Sequence, residues 1–305
     1  MRLRHLTALL AAVLALGAGR AEHTPARVVI VKTVALPPFD AAESAITRDL
    51  SGFDVQSVSV DPADAGAAAR VAALEADVVV PVGSQATSWA ADHVERPIVF
   101  SMVLDPVSHK LVDSFERPGR MTGAALDVPL DAQFVALHEV LGAVRVAVLY
   151  NPEASGATVE AARRAAQRAG VTLVPIEVRD LSQFEAALAK VDHSFDALWS
   201  VPDSVVLSRR LAQQILLHTI RNQVPLMGLS EQHVKAGALF ALVTSHDENG
   251  QQTAARVRRV LAGETAGRIP VATPRTLEVV FNARTADSVN VRLKPSTTFR
   301  VRPVR

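Results

Sequence analysis

Residues 143–152 read Ala-Val-Arg-Val-Ala-Val-Leu-Tyr-Asn-Pro. Apart from Arg145 the run is apolar at successive positions, then stops at a polar Asn-Pro turn and enters an alanine-rich stretch. A strand covered on both faces reads this way in a parallel sheet flanked by helices. Ligands of such sheets sit in a crevice beyond the carboxyl ends of the strands. Asn151 therefore stands where a small molecule would be held.

The same design repeats on either side. Upstream, strands are expected at Arg27–Val34, Val55–Val60, Ala76–Val82 and Pro97–Val103. Helices are expected within Pro37–Leu50, over Asp64–Leu74 with Asp64 as N-cap, and over Gln85–His93. Downstream, helices are expected at Leu130–Leu141, Thr158–Ala169, Leu181–Lys190 and Ser204–Arg221. They alternate with strands at Arg145–Tyr150, Thr172–Val178, Ala197–Val201 and Pro225–Leu229. Strand–helix alternation of this kind gives a parallel sheet with helices on both faces.

Arg117–Asp127, with its Pro-Gly and Thr-Gly pairs, reads as the divider between the two series. After Thr244-Ser245-His246-Asp247 a long helix is expected near Glu248–Leu261, and Val271–Asn282 holds at least one more strand. This tail is too short for a third domain and is expected to cross back between the lobes. The fold class is α/β, with two doubly wound, Rossmann-like lobes joined by hinge strands. The first lobe takes residues 27–126 and about 246–275, the second 127–245 and about 276–305, with Thr244, Ser245 and His246 in the hinge.

Residues 1–21 have the form of a cleaved secretory signal peptide: Arg2, Arg4 and His5, an apolar Leu6–Leu16, then small residues around Gly19 and Ala21. The apolar run is short of the roughly 20 residues that span a bilayer. The chain has no cysteine, so a lipid-modified cysteine anchor has no attachment point and an exported domain would rely on its core rather than on disulfides. A formal charge of +1 and only 4% aromatic residues do not make a nucleic-acid surface. A soluble periplasmic protein is expected.

Polar residues follow each strand. Gly83 and Ser84 follow Val78–Val82, with Ser84 placed to cap a helix whose free amides would suit an anion. Ser101 and Asp105 follow Pro97–Phe100, Asp203 follows Leu198–Val201, and Ser230-Glu231 follow Pro225–Gly228. Each Asp or Ser serves equally well as a plain helix cap; their coincidence at strand ends favours a cleft. Phosphate-loop and dinucleotide signatures, metal-binding His pairs and a Gly-x-Ser-x-Gly elbow are absent from the sequence. Neither enzyme chemistry, nor a metal, nor a cofactor is expected.

Several segments occur in one order: FSMVLDP (Phe100–Pro106), RPGRMTG (Arg117–Gly123), VAVLYNP (Val146–Pro152), PDSV (Pro202–Val205), VKAGAL (Val234–Leu239) and ENGQQTAARVRRVLAGE (Glu248–Glu264). Together they resemble the ABC-transporter substrate-binding family whose better-known members bind aromatic amino acids. The likeness runs from about Val28 to Val291. It implies a type I periplasmic-binding fold and a small polar ligand, an amino acid or derivative, held between the lobes. Position by position it implies that Ser84 and Thr87 face the ligand from the first lobe and that Asp105 forms the family's Asp-Pro turn. It implies Asn151 and Asp203 as cleft residues of the second lobe, Asp203 receiving a ligand amine, and Ser230 and Glu231 where the family often has Ser-Asp. Where the family usually has Asp-Asn, this chain has Asp203-Ser204.

On this reading the partner is a membrane permease and the protein a monomer, with closure of the lobes on ligand as the recognised state. A ligand sensor presenting its closed state to a membrane signalling protein is the alternative. Removal of the Asp203 carboxylate is expected to abolish capture of an amine-bearing ligand while leaving the fold intact.

Overall fold

The computed structural model describes residues 25–304, so the expected signal peptide lies outside the described residues. The first series consists of β1 (Arg27–Lys32), α1 (Pro37–Asp49), β2 (Asp54–Ser59), α2 (Ala67–Ala72), β3 (Val78–Val82), α3 (Ser84–His93), β4 (Val99–Val103) and β5 (Thr122–Ala125). Next come α4 (Leu130–Ala136), β6 (Arg145–Tyr150), α5 (Pro152–Arg168), β7 (Thr172–Glu177), α6 (Phe184–Leu188), β8 (Ala197–Trp199), α7 (Arg209–Arg221), β9 (Leu226–Met227), α8 (Glu231–Ala236) and β10 (Phe240–Thr244). The last part holds α9 (His246–Leu261), β11 (Leu277–Phe281), α10 (Ala283–Ser288) and β12 (Arg300–Pro303).

Two sheets result. The first is five-stranded and parallel, in the order β2-β1-β3-β4-β5. The second is seven-stranded, in the order β12-β11-β10-β9-β8-β6-β7, its only antiparallel pair being β10 with β11. The decisive stretch behaves as its composition requires. Arg145 is exposed and Val146–Leu149 are buried. Val146 and Val148 join one core, with Phe134 and Trp199, while Ala147 and Leu149 join the opposite one, with Phe184 and Ile215. β1 divides its side chains likewise, Val29 and Val31 toward Trp89 and Val28 and Ile30 toward Ile46 and Val257.

The chain passes between the sheets three times. It leaves β5 through Leu126–Pro129 for α4, returns from β10 into α9, and leaves again through residues 273–276 for β11. α9 belongs with the first sheet, packing on α1, β3, β4 and β5. Gly250 permits this contact. A Cβ there would lie 2.3 Å from the Ala42 carbonyl oxygen and 2.7 Å from the Ala45 Cβ. Neither backbone nor a helical alanine can swing aside. We expect Gly250→Ala to cost about 2 kcal/mol despite alanine's better helix propensity, read as a lower midpoint in urea unfolding; an unchanged midpoint would mean that the helices part freely.

Four expectations need correction. Arg117–Asp127 does not simply divide the lobes, because Thr122–Ala125 within it is strand β5, fully buried against β4. Its Thr-Gly-Ala-Ala sequence lacks the β-branched bulk of a strand, since a Cβ at Gly123 would sit 2.2 Å from the Phe100 carbonyl oxygen. Asp64 does not cap α2: its Oδ1 accepts from the Gly66 amide at 2.8 Å and Gly66 takes the cap position. Ser84 does not cap α3 either; Gly83, at φ +89°, is the N-cap and Ser84 the first helical residue. The helix expected from Ser204 begins only at Arg209, because the Asp203 carboxylate captures the Val205 and Val206 amides in a turn.

Candidate functional site

In doubly wound sheets the crevice opens where strand order reverses. The first sheet reverses between β1 and β3, the second between β6 and β8. The carboxyl ends there lead into Gly83-Ser84 on one side and into Tyr150-Asn151 and Ser200–Asp203 on the other.

On the first side, Ser84 is partly exposed, and its amide and that of Gln85 have no intrahelical acceptor. Gly83 holds the turn tightly: a Cβ would meet the Phe39 ring at 2.7 Å. Thr87 is fully buried and donates its hydroxyl to the Gly83 carbonyl at 2.8 Å. It supports the turn from beneath and offers no surface to a ligand.

On the second side, Asn151 and Asp203 form one knot. The Asn151 Oδ1 accepts from the Glu153 and Ala154 amides at 2.9 and 3.1 Å, capping α5. Its Nδ2 donates to the carbonyls of Val178 and Arg179. Asp203 Oδ2 accepts from the Asn151 amide at 2.7 Å and the Ser155 hydroxyl at 2.6 Å. Oδ1 accepts from the Val205 and Val206 amides, each at 2.9 Å. Asp203 is 6% exposed and Asn151 5%. An ionised carboxylate has about four acceptor sites, and all four are filled from within the chain. In this structure Asp203 is a strut that ties the β6 and β8 loops together, with no acceptor site left open for a ligand amine.

The remaining candidates divide similarly. Ser101 is fully buried and donates to Asn249 Oδ1 at 2.8 Å. Asp105 sits at φ +52° after β4, accepts from the Ser108 amide, and donates its own amide to Asp127 Oδ2 at 2.9 Å. Ser230 caps α8 through the His233 amide, and Glu231 is ion-paired to Arg302 at 3.0 Å and Lys235 at 3.2 Å. Of the residues expected in the hinge, Thr244 ends β10, Ser245 caps α9 through the Glu248 amide, and His246 opens the helix. Burial lowers the His246 imidazole below the usual histidine range, and the Glu231 charge works against that shift. The structure thus joins Asn151 with Asp203, and Asp105 with the first crossing; no hydrogen bond among the described residues links Ser84 or Thr87 to Asn151 or Asp203.

Two residues escaped the sequence reading. Asn249 is 2% exposed; its Oδ1 also accepts from the Met102 amide at 3.0 Å, and its Nδ2 donates to the Ala124 and Ala125 carbonyls, each at 3.1 Å. Met102, at φ +58°, is the extra residue of a bulge between Ser101 and Val103, and Asn249 satisfies the amide that the bulge withdraws from the ladder. The signal was present: Asn249-Gly250, two poor helix formers, stand side by side inside a helix. The second is Asp127, on the first crossing. Burial, with the Asp105 charge adding to it, pushes its carboxyl up to about 7.

Two doubly wound lobes, each with a strand reversal point, have the architecture of the type I periplasmic-binding class. The comparisons agree. The family described as ABC transporter substrate binding protein matches residues 42–300, and the chain belongs to it. A tyrosine-binding protein of Clostridioides difficile (strain R20291) is 22% identical over 246 residues, 79% of this chain and 71% of that protein. Among solved structures, a ligand-free, open substrate-binding protein with adhesive properties from Clostridium difficile is 20% identical. It has a TM-score of 0.72 over 92% of this chain and 100% of the other. A Streptococcus pneumonia ABC domain in complex with L-Trp is 19% identical, with a TM-score of 0.62 over 91% of this chain and 100% of that one. Proteins of this family bind small ligands and work with membrane permeases.

Proposed function

We propose that this substrate-binding protein works in the periplasm, after loss of its leader, and captures an amino acid or a derivative of one between its two lobes. The observation that carries this reading is the strand reversal point in each of the two sheets. One presents Ser84 with the free amides that begin α3; the other presents the loops locked by the Asn151–Asp203 knot. A carboxylate would lie at the α3 amides, where the helix dipole favours it. The second wall would close over the rest of the ligand, with the exposed Ser204 as a polar contact. Ligand touching both walls favours the closed state, because only that state makes both sets of contacts, and a permease would read that state. The tyrosine-binding relative and the L-Trp complex make aromatic amino acids the first compounds to test.

The experiment is a thermal-shift screen of the purified protein against amino acids, short peptides, nucleosides and organic acids. A ligand at a hundred times its dissociation constant should stabilise the native state by about 2.7 kcal/mol. A response confined to amino acids supports the proposal. A response confined to nucleosides or to acids lacking an amine overturns the ligand class.

A further inference from the structure

A groove of about 500 Å³ runs along α9 beside the third crossing, lined among others by Ser245, Gln252, Arg256, Arg275 and Thr276. Asp247 and Glu248 line it as well, and its two basic residues are Arg256 and Arg275. Arg256 is held from two sides by backbone, its Nε donating to the Pro270 carbonyl and its Nη1 to the Gln252 carbonyl, each at 3.0 Å. Neither Arg256 nor Arg275 has a carboxylate within ion-pair distance among the described residues.

The oxygens of the two groove carboxylates are already hydrogen-bonded, those of Glu248 by neutral amides only. Glu248 Oε1 accepts from the Gln252 amide group and the Arg275 backbone amide, and its Oε2 accepts from the Thr276 amide. Asp247 pairs with Arg48 and accepts from Gln251. Arg259, whose charge also bears on Arg256, is itself paired with Glu264. Burial first, then the charges of Arg259 and Arg275, lowers the Arg256 guanidinium to about 10.

Half-buried cations are ordinarily paired, since desolvation without a partner is costly. Here the guanidinium is fixed in place, and its remaining N–H groups have no carboxylate to meet. A rigid guanidinium fork with a second one beside it matches an oxyanion, which it can grip through two parallel hydrogen bonds.

We propose that Arg256 and Arg275 form a binding site for a small oxyanion, a phosphate or a carboxylate, in the groove between α9 and the third crossing. Such an anion would tie α9, which is packed on the first sheet, to the segment that carries the chain into β11 of the second. The site is thus placed to stiffen one of the three passages between the lobes. It is independent of the ligand proposed for the cleft.

The test is titration of the purified protein with inorganic phosphate, and separately with succinate, at constant ionic strength balanced with chloride. Binding is read by calorimetry and by melting temperature. Arg256→Gln and Arg275→Gln are compared with the parent. A saturable signal with phosphate, or with succinate, that weakens at least tenfold in both variants is the expected result, and the stronger of the two anions identifies the source. Phosphate stabilises proteins in general by exclusion from their surface, so an equal, non-saturating rise in parent and variants overturns the proposal, as does the absence of any heat with either anion. Should Arg256→Gln fail to fold, the exposed Arg275 supplies the decision, since its side chain holds no structural bond.

Discussion

Asp203→Ala is expected to destabilise the protein by about 4 kcal/mol, and to lose ligand capture through that damage rather than through a lost ligand contact. The carboxylate accepts four hydrogen bonds, three from backbone amides and one from the Ser155 hydroxyl. Truncation would leave those donors in a site where Asp203 and Asn151 are 6% and 5% exposed. A bond to a charged group contributes about 1.5–3 kcal/mol, and a buried donor left without a partner costs about 1–3 kcal/mol. Water entering the vacated volume recovers part of that sum. Asp203→Asn should be milder, at about 2 kcal/mol, because its amide group faces donors where an oxygen stood. Urea unfolding of both variants gives the stabilities, and calorimetry on the folded fraction gives the affinity. An alanine variant within 1 kcal/mol of the parent that no longer binds ligand would return Asp203 to the ligand's first contacts.

That result bears on what the sequence could say. Asp203 and Asn151 were legible as residues at strand ends, and the structure puts them at the reversal point of the second sheet. Their chemistry was not legible. Asp and Asn at such a position serve a ligand or a loop equally well, and only the positions of Val205, Val206 and Ser155 decide between them. β6 could be read to the residue because its apolar run is uniform and bounded by Arg145 and Asn151. β5 could not, because close approach to Phe100 selects glycine and alanine over strand-forming residues. Most strands of the two sheets followed from local pattern, but β5, β10 and β12 did not, and the elements that join the sheets depend on long-range packing. Asn249 bonds to residues 124 to 148 positions away in the chain. No local periodicity announces such a partner.

Asp127→Asn is expected to act in the opposite sense and to stabilise the protein by about 3 kcal/mol at pH 8. Asp127 lies on the first crossing, where its Oδ2 accepts from the Asp105 amide. No cation pairs with it among the described residues. Burial raises its carboxyl to about 7, from an ordinary value of 3.8. Between those two values the folded state holds a proton that the unfolded state has released. Stability therefore falls as pH rises from about 4 to about 7, and above that the full cost of an unpaired, half-buried charge is present. Asparagine keeps the acceptor for Asp105 and carries no charge. Its advantage should be full at pH 8, decline below pH 7, and be about halved near pH 5. Unfolding in urea at pH 5, 6, 7 and 8 measures it, and a difference that stays constant over this range would mean that Asp127 is ordinarily hydrated.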